Sequence, residues 1–209
     1  MNLTRPDFLK QFGDTEVELM LQNVGYSNSI KNGILQDENG DIIPWYCYSM
    51  VNFLKEKLQD KNIKIFEYGA GFSTLFYAKR SNTVISSETS PECKAWTEDS
   101  LKSLNLTAKI TIEDQDSFAE SIEKHAIKFD LIIVDSIVRN ECVNYATRNI
   151  SDNGVILLDN SERSGYKKSF ELMKSIGYKN LTFKGLKPFS QKFASSTIFY
   201  RSGNSIFDI

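Results

Sequence analysis

Short runs of β-branched and aromatic residues recur at 63–68, 83–88, 108–113, 129–135 and 155–159, with acids gathered at their ends. Between and after these runs, apolar residues return at helical spacing over 73–80, 92–104, 118–125, 139–150 and 162–176. Strands alternating with helices of this length predict βαβ units and a parallel sheet. LIIVD and VILLD are apolar on both faces, as central strands covered by helices on each side must be. Right-handed crossovers then wind the sheet doubly.

Both ends of the chain depart from this rhythm. Segments 180–185 and 196–201 are strand-like, but only a loop with Gly185 and Pro188 joins them. That connection is too short for a helical crossover, so an antiparallel pair is expected. The predicted fold class is α/β: a doubly wound, mostly parallel seven-stranded sheet with an antiparallel C-terminal strand pair. At the front, 45–58 reads as an amphipathic helix, 5–23 as helical and 25–44 as a loop. No internal repeat or second domain is visible. Residues 1–60 are expected as a helical N-terminal extension capping the ligand edge of a unit spanning 61–209.

Composition narrows the function by subtraction. A formal charge of −2 offers no general attraction to nucleic acid or an anionic membrane, so neither is an expected partner. No apolar stretch is long enough to insert in a bilayer, and the polar start MNLTRPDFLK lacks a signal-peptide core. Cys47, Cys93 and Cys142 are odd in number and widely spaced, which predicts free thiols in a reducing cytoplasm. His125 is the only histidine and is expected at the surface, at a helix end. A Cys/His zinc site and a histidine-dependent triad are thereby argued against. Any catalysis must rest on carboxylates, hydroxyls, backbone groups or a bound cofactor.

Ligands of open α/β sheets bind beyond the carboxyl ends of the strands, which singles out the acids there. The first strand delivers EYGAGFST, residues 67–74. Gly69 and Gly71 supply two glycines of a G-x-G-x-x-G nucleotide loop, Thr74 stands where the third would be, and Glu67 precedes them. Gly69, Ala70 and Gly71 let a ligand approach the backbone, and Ser73 and Thr74 open a helix whose N-terminus favours polar or anionic groups. A tight βα turn would ask for the same glycines. Glu88 follows Gly69 by about 20 residues, the separation at which an acid accepts both ribose hydroxyls. Glu88 also stands near a helix start, although Ser90 before Pro91 is the natural cap. After the third strand, Asp116 or Ser117 is placed to meet an adenine amino group or to cap the next helix.

These motifs resemble the class I S-adenosyl-L-methionine (SAM)-dependent methyltransferases over roughly 63–201. Glu67-x-Gly69-x-Gly71 is similar to their first motif, an acid before a glycine loop lying against the methionine part of SAM. Glu88 matches their ribose acid, and KGLKPFSQKFASSTIFYR is similar to their antiparallel last two strands. The resemblance implies SAM as cofactor, held by Glu67, Gly69, Ala70, Gly71, Ser73, Thr74, Glu88, Asp116, Ser117 and Asp135. More narrowly, EYGAGFSTLFYAKR, LIIVDS, GVILLDNSER and STIFYR resemble a bacterial branch of small methyltransferases often linked to surface-glycan genes. One alternative is an NAD(P)-dependent oxidoreductase on a Rossmann sheet, although no tyrosine has lysine four residues on, as a short-chain reductase would. Another is a SAM-binding regulator or scaffold without catalysis.

The methyl-transfer step points to Asp135, Asp159 and Asn160 at the ends of the fourth and fifth strands. The set resembles the metal-dependent O-methyltransferases, where such residues hold a divalent cation, and its oxygens suit Mg2+ or Ca2+. Without metal, Asp135 or Asp159 is the expected general base, and Asn160 would cap the helix near Glu162. Trp45, Tyr46 and Tyr48 are read either as an aromatic wall or as packing of the N-terminal helix. Arg139 and Arg163 are read as contacts to an anionic acceptor or as solvated helix-start arginines. The VDSI ending lacks the Asn/Asp-Pro-Pro-Tyr motif of enzymes methylating planar amino groups. The expected acceptor is therefore a hydroxyl of a small molecule or glycan precursor. The aromatic N-terminal segment and the SIFDI tail are candidates for a homodimer contact.

Overall fold

The computed structural model describes residues 14–59, 61–203 and 205–209, so residues 5–13 of the expected first helix lie outside the described part. The sheet is built from β1 (Lys64–Tyr68), β2 (Thr83–Glu88), β3 (Lys109–Ile112), β4 (Phe129–Val134), β5 (Ile150–Asp159), β6 (Lys179–Leu186) and β7 (Phe193–Tyr200). Their spatial order is β3-β2-β1-β4-β5-β7-β6. β1 to β5 run parallel, while β7 lies antiparallel to both β5 and β6. The expected seven-stranded mixed sheet is what the chain forms.

The alternation along the central strands explains why the sheet is covered twice. Leu131 and Ile133 of β4, with Val155 and Leu157 of β5, enter one core beside the helix α3 (Tyr48–Lys57). Ile132 and Val134, with Ile156 and Leu158, enter a second core on the opposite face, beside α6 (Arg139–Asn149) and α7 (Lys167–Ser175). Each such side chain contributes about 1.5–3 kcal/mol when fully buried. α4 (Phe72–Ala78) and α5 (Pro91–Ser103) complete the crossovers around β2. Ser90 caps α5 as expected, its hydroxyl accepting from the Cys93 amide at 3.2 Å ahead of Pro91.

Several boundaries differ from the sequence expectation, each for a local reason. Segment 25–44 is not all loop: α1 (Asp14–Asn23) is followed by α2 (Tyr26–Asn32), which Gly33 stops in the left-handed region. A turn then closes on Asp37, whose Oδ1 accepts from the amides of Asn39 and Asp41, both at 2.9 Å. α3 begins at Tyr48, leaving Trp45 and Tyr46 in the turn before it. Segment 118–125 forms 3-10 turns, Gln115–Ser117 and Ala119–Lys124, in place of an α-helix. β5 starts at Ile150 because Ser151-Asp152-Asn153-Gly154, a turn-like string, is absorbed as an irregularity in its pairing with β4. His125 ends the second 3-10 turn half-buried, its ring against Phe66 and Phe129 at 5.8 and 6.1 Å, not free at the surface.

The N-terminal extension shares the core of the sheet. Tyr46, Met50, Val51 and Leu54 are buried in the same cluster as Ile65, Leu131 and Ile198. The C-terminal tail does likewise: Phe207 is fully buried, with its ring edge-on to Phe53 at 5.6 Å. The tail expected as a dimer contact therefore spends its aromatic side chain on the chain's own core. Truncating it should be costly: Phe207→Ala is expected to lose about 3–5 kcal/mol, lowering Tm by roughly 10 °C. Thermal unfolding beside light scattering checks this. An unchanged Tm with a lower molar mass would instead mean that the tail works between chains.

Candidate active site

The chain runs outward from β1 through β2 and β3, then returns to the other side of β1 as β4. At such a switch point the loops after two neighbouring strands part in opposite directions and leave a crevice. Here the loops after β1 and β4 are in tight contact at its base. The Asp135 amide donates to the Tyr68 carbonyl at 3.2 Å, and Gly69 N donates to Ser87 O at 2.8 Å. Gly69 has φ +99°, and a Cβ placed on it would stand 2.8 Å from the Asp135 carbonyl oxygen. Only glycine satisfies both the dihedral and the contact.

A cavity of about 660 Å³ opens above this point. One wall is the glycine loop with Phe72 and Ser73, and the floor includes Asp135 and Arg139. Asn160, Arg163, Lys187, Lys192 and Phe193 form the opposite side, and Leu35 and Trp45 reach in from the N-terminal extension. Trp45 is half exposed, its indole N–H donates to the Pro188 carbonyl at 2.7 Å, and the Lys187 ammonium lies 4.9 Å from its ring centroid. Tyr46 and Tyr48 are core residues. The aromatic cluster thus divides, with one ring on the cleft and two inside. The phenols of Tyr46 and Tyr77 lie 3.4 Å apart, and burial holds both well above their ordinary pKa.

Two acids brace the loop. Glu67 is buried beneath the loop, its Oε2 accepting from Thr74 Oγ1 at 2.6 Å and Ser86 Oγ at 2.9 Å. Thr74 Oγ1 in turn accepts from the Gly71 amide at 3.0 Å. Glu67 Oε1 is buried with no hydrogen-bond partner among the described residues. Burial pushes the Glu67 carboxyl up to about 7, against the hydroxyls of Ser73, Thr74 and Ser86, which favour its charged form. Glu88 Oε2 accepts from the Ala70 amide at 2.9 Å, and its Oε1 from the amides of Thr89 and Ser90 at 2.7 and 2.9 Å. Asp116 is exposed on the 3-10 turn after β3, and Ser117 donates back to Asp114 O at 3.4 Å. Neither lines the cavity, and neither caps the following turn.

Asp135, Asp159 and Asn160 do come together, but around a protein cation. Arg139, 8% exposed, donates from Nε to Ser136 O at 2.7 Å and places one terminal nitrogen 2.8 Å from Asp135 Oδ1 as a salt bridge. Its other terminal nitrogen donates to the Asp159 carbonyl and to Asn160 Oδ1 at 3.4 Å. Asp159 is fully buried, its Oδ1 accepting from Ser196 Oγ at 2.5 Å and its Oδ2 from Lys187 Nζ at 3.2 Å. The set expected to hold Mg2+ or Ca2+ therefore does not fit a metal ion. Its acceptors already face a guanidinium and an ammonium, and among the described residues no three His, Cys, Asp or Glu side chains gather to hold a metal ion. Asn160 has φ +50° and turns its side chain to Arg139, so it is not the helix cap considered for it.

Lys187 is the site residue that sequence pattern passed over, and Arg139 the one whose role it left open. Arg139, read either as a contact to an anionic acceptor or as a solvated helix start, is buried at the first position of α6, four residues past Asp135, where one helical turn brings the two together. Val138 just before it has φ +42°, a left-handed conformation costing a β-branched residue about 1–3 kcal/mol. That turn aims Arg139 back over the strand ends. Arg163 does stay exposed. Asp135 keeps a side chain 23% exposed toward the cavity, and its carboxyl is raised by burial and the Asp159 charge, with Arg139 opposing.

No protein-family model matches the chain, and no curated protein matches it. Solved structures do. A protein from Staphylococcus aureus classed as a caffeoyl-CoA O-methyltransferase aligns with TM-score 0.61 at 16% identity, over 93% of this chain and 95% of that one. The precorrin-6y C5,15-methyltransferase of Geobacter metallireducens GS-15 aligns with TM-score 0.61 at 17% identity, over 74% and 88%. The O-methyltransferase TomG of Streptomyces achromogenes, solved in complex with SAM, aligns with TM-score 0.59 at 12% identity, over 72% and 78%. The chain has the class I SAM-dependent methyltransferase fold. No helix among the described residues is long and apolar enough to cross a membrane.

The buried Glu67 makes stability depend on pH in a defined direction. Its folded pKa, about 7, lies above the ordinary glutamate value of 4.5. The native state then holds its proton longer than the unfolded chain, so the contribution is intact below about 4.5 and lost as pH rises through 7. Urea unfolding at pH 4.5 and 8 should show wild type losing about 3 kcal/mol relative to Glu67→Gln. A difference that stays flat with pH would show that Glu67 ionises normally.

Proposed function

We propose that the protein transfers the methyl group of SAM to a hydroxyl of a small molecule or glycan precursor. The bonding state of the glycine loop carries this reading. The amides of Ala70 and Gly71 are already bonded, to Glu88 and Thr74, so these two are not free to cradle a pyrophosphate. Beneath it lies the Glu67 carboxylate with one unpartnered oxygen. A negative group there favours an ammonium and opposes a diphosphate, which supports the amino-acid end of SAM over NAD(P). Glu88 Oε2 has a single donor, leaving one lone pair toward a ribose hydroxyl.

SAM, when bound, supplies an electrophilic methyl group; the chain has to orient the acceptor and remove its proton. Asp135 is the group placed for the second task. Its carboxyl lines the cavity, Arg139 fixes Oδ1, and no protein donor among the described residues bonds Oδ2. Its raised proton affinity makes it a stronger base than a solvated aspartate. Asp159 is unsuited to that role, because both its oxygens are engaged inside the protein. It instead holds Lys187 on the cavity wall. On the acceptor side Arg163 and Lys192, with Lys187 paired to Asp159, outnumber the single acid Glu162, which supports an acceptor carrying a phosphate or carboxylate. The buried thiols of Cys47 and Cys142 suit a reducing cytoplasm.

Differential scanning fluorimetry tests the cofactor. SAM and S-adenosylhomocysteine are expected to raise Tm, whereas NAD and NADP leave it unchanged; stabilisation by the nicotinamide cofactors alone would overturn the assignment. Transfer of label from methyl-tritiated SAM into a small-molecule extract tests catalysis. Asp135→Asn should cut that rate by a factor of about 100 or more while S-adenosylhomocysteine still binds. Binding without turnover in wild type would favour a regulator or scaffold.

A further inference from the structure

The acceptors that converge at the ends of β4 and β5 are all hard oxygens: the Asp135 carboxylate, the Ser136 and Asp159 carbonyls and the Asn160 amide. Such a set suits a divalent cation. We propose that Arg139 is the built-in cation of this site, a fixed guanidinium taking the position where a metal-dependent enzyme would carry its ion. Three features support the assignment. First, three nitrogens of one side chain reach four acceptors on two strand ends, a fork that a point-like cation on a flexible stem does not reproduce. Second, the second buried acid is withdrawn from the set, since Asp159 turns its carboxylate to Ser196 and Lys187 and offers Arg139 only its carbonyl. One open carboxylate faces one guanidinium, and the local charge closes without an external ion. Third, the left-handed turn at Val138, which costs backbone energy, is the bend that brings Arg139 over the strand ends.

The consequence is a division of labour. Arg139 is a positioning residue: it holds Asp135 Oδ1 and Asn160 Oδ1 at the cavity floor and bars divalent metal by like charge. Its side chain lines the same cavity. That Asp135 then serves an acceptor hydroxyl rests on the methyl-transfer reading above; that Arg139 fills the cation position does not.

Mn2+ followed by electron paramagnetic resonance separates the two. Wild type is expected to bind no Mn2+ that depends on Asp135. Arg139→Ala, with a positive charge gone from hard oxygen ligands, should gain Mn2+ affinity on the order of tenfold or more. The Asp135→Asn/Arg139→Ala double variant should lose that gain. Millimolar guanidinium should also raise the Tm of Arg139→Ala relative to sodium chloride and leave wild type unmoved, which a merely structural arginine on the surface would not produce. If Arg139→Ala does not fold, Arg139→Gln takes its place, and the wild-type titration stands independently. Mn2+ binding by wild type that Asp135→Asn abolishes would overturn the proposal, as would a folded variant that gains neither Mn2+ nor guanidinium response. S-adenosylhomocysteine calorimetry runs alongside: its failure would sink the methyltransferase reading and leave the Mn2+ result interpretable.

Discussion

The contact of Gly69 with the Asp135 carbonyl is the constraint on which the site depends. It locks the loop after β1 against the loop after β4, at the switch point where the chain, having grown outward through β2 and β3, returns to the other side of β1. From there the glycine loop can turn one way and α6 the other, and the cavity is the gap that results. A side chain at position 69 would push these loops apart and carry every residue that follows with them. The buried hydrophobic layers on both faces of β1 and β4 give the contact a rigid base, so small displacements are not absorbed elsewhere.

That rigidity creates an electrostatic problem, and the arrangement of side chains is its answer. Glu67, Asp135 and Asp159 crowd the floor: the charges of Asp159 and Glu67 both raise the proton affinity of Asp135, and Glu88 raises that of Glu67. A low-dielectric floor holding three acids is tolerable only if charges are paired or protons retained. Asp159 is paired with Lys187, Asp135 with Arg139, and Glu67 is left with hydroxyl donors alone. The group without a cation is pushed toward neutrality by burial and keeps a buried, unpartnered oxygen. It sits where the reading above brings a ligand's ammonium group.

How much of this was legible in the sequence follows from the range of the interactions involved. Apolar alternation and period are local, so five parallel strands, their crossovers and the antiparallel pair could be read directly. Strand-end acids could be picked out because topology sends strand ends to one edge. What those acids bond to could not, since the partners are remote: Asp159 meets Lys187 and Ser196 across a strand pairing, and Glu88 meets the Ala70 amide across two strands. The inward course of Arg139 was hidden for a different reason. A basic residue at a helix start normally points to solvent, and its inward course depends on the uncommon backbone at Val138. Trp45 was separable from Tyr46 and Tyr48 only once α3 was seen to begin after it.

Thr74 shows why the missing third glycine of EYGAGFST is not a flaw in the loop. In a dinucleotide loop that glycine lets a helix approach the sheet closely. Here position 74 carries the hydroxyl that links the Gly71 amide to Glu67, so one atom satisfies a helix-start donor and a buried carboxylate together. Glycine at this position would leave the amide without its acceptor and strip Glu67 of one of its two bonded donors, at a cost of about 1–3 kcal/mol for each buried group left unpaired. Glu88 performs the matching task for the Ala70 amide from the neighbouring strand. Two adjacent loop amides are therefore consumed by acids and hydroxyls of the protein. A loop built this way has exchanged phosphate-binding donors for buried acceptors, and the ligand it favours at that end is one that brings hydrogen-bond donors and positive charge.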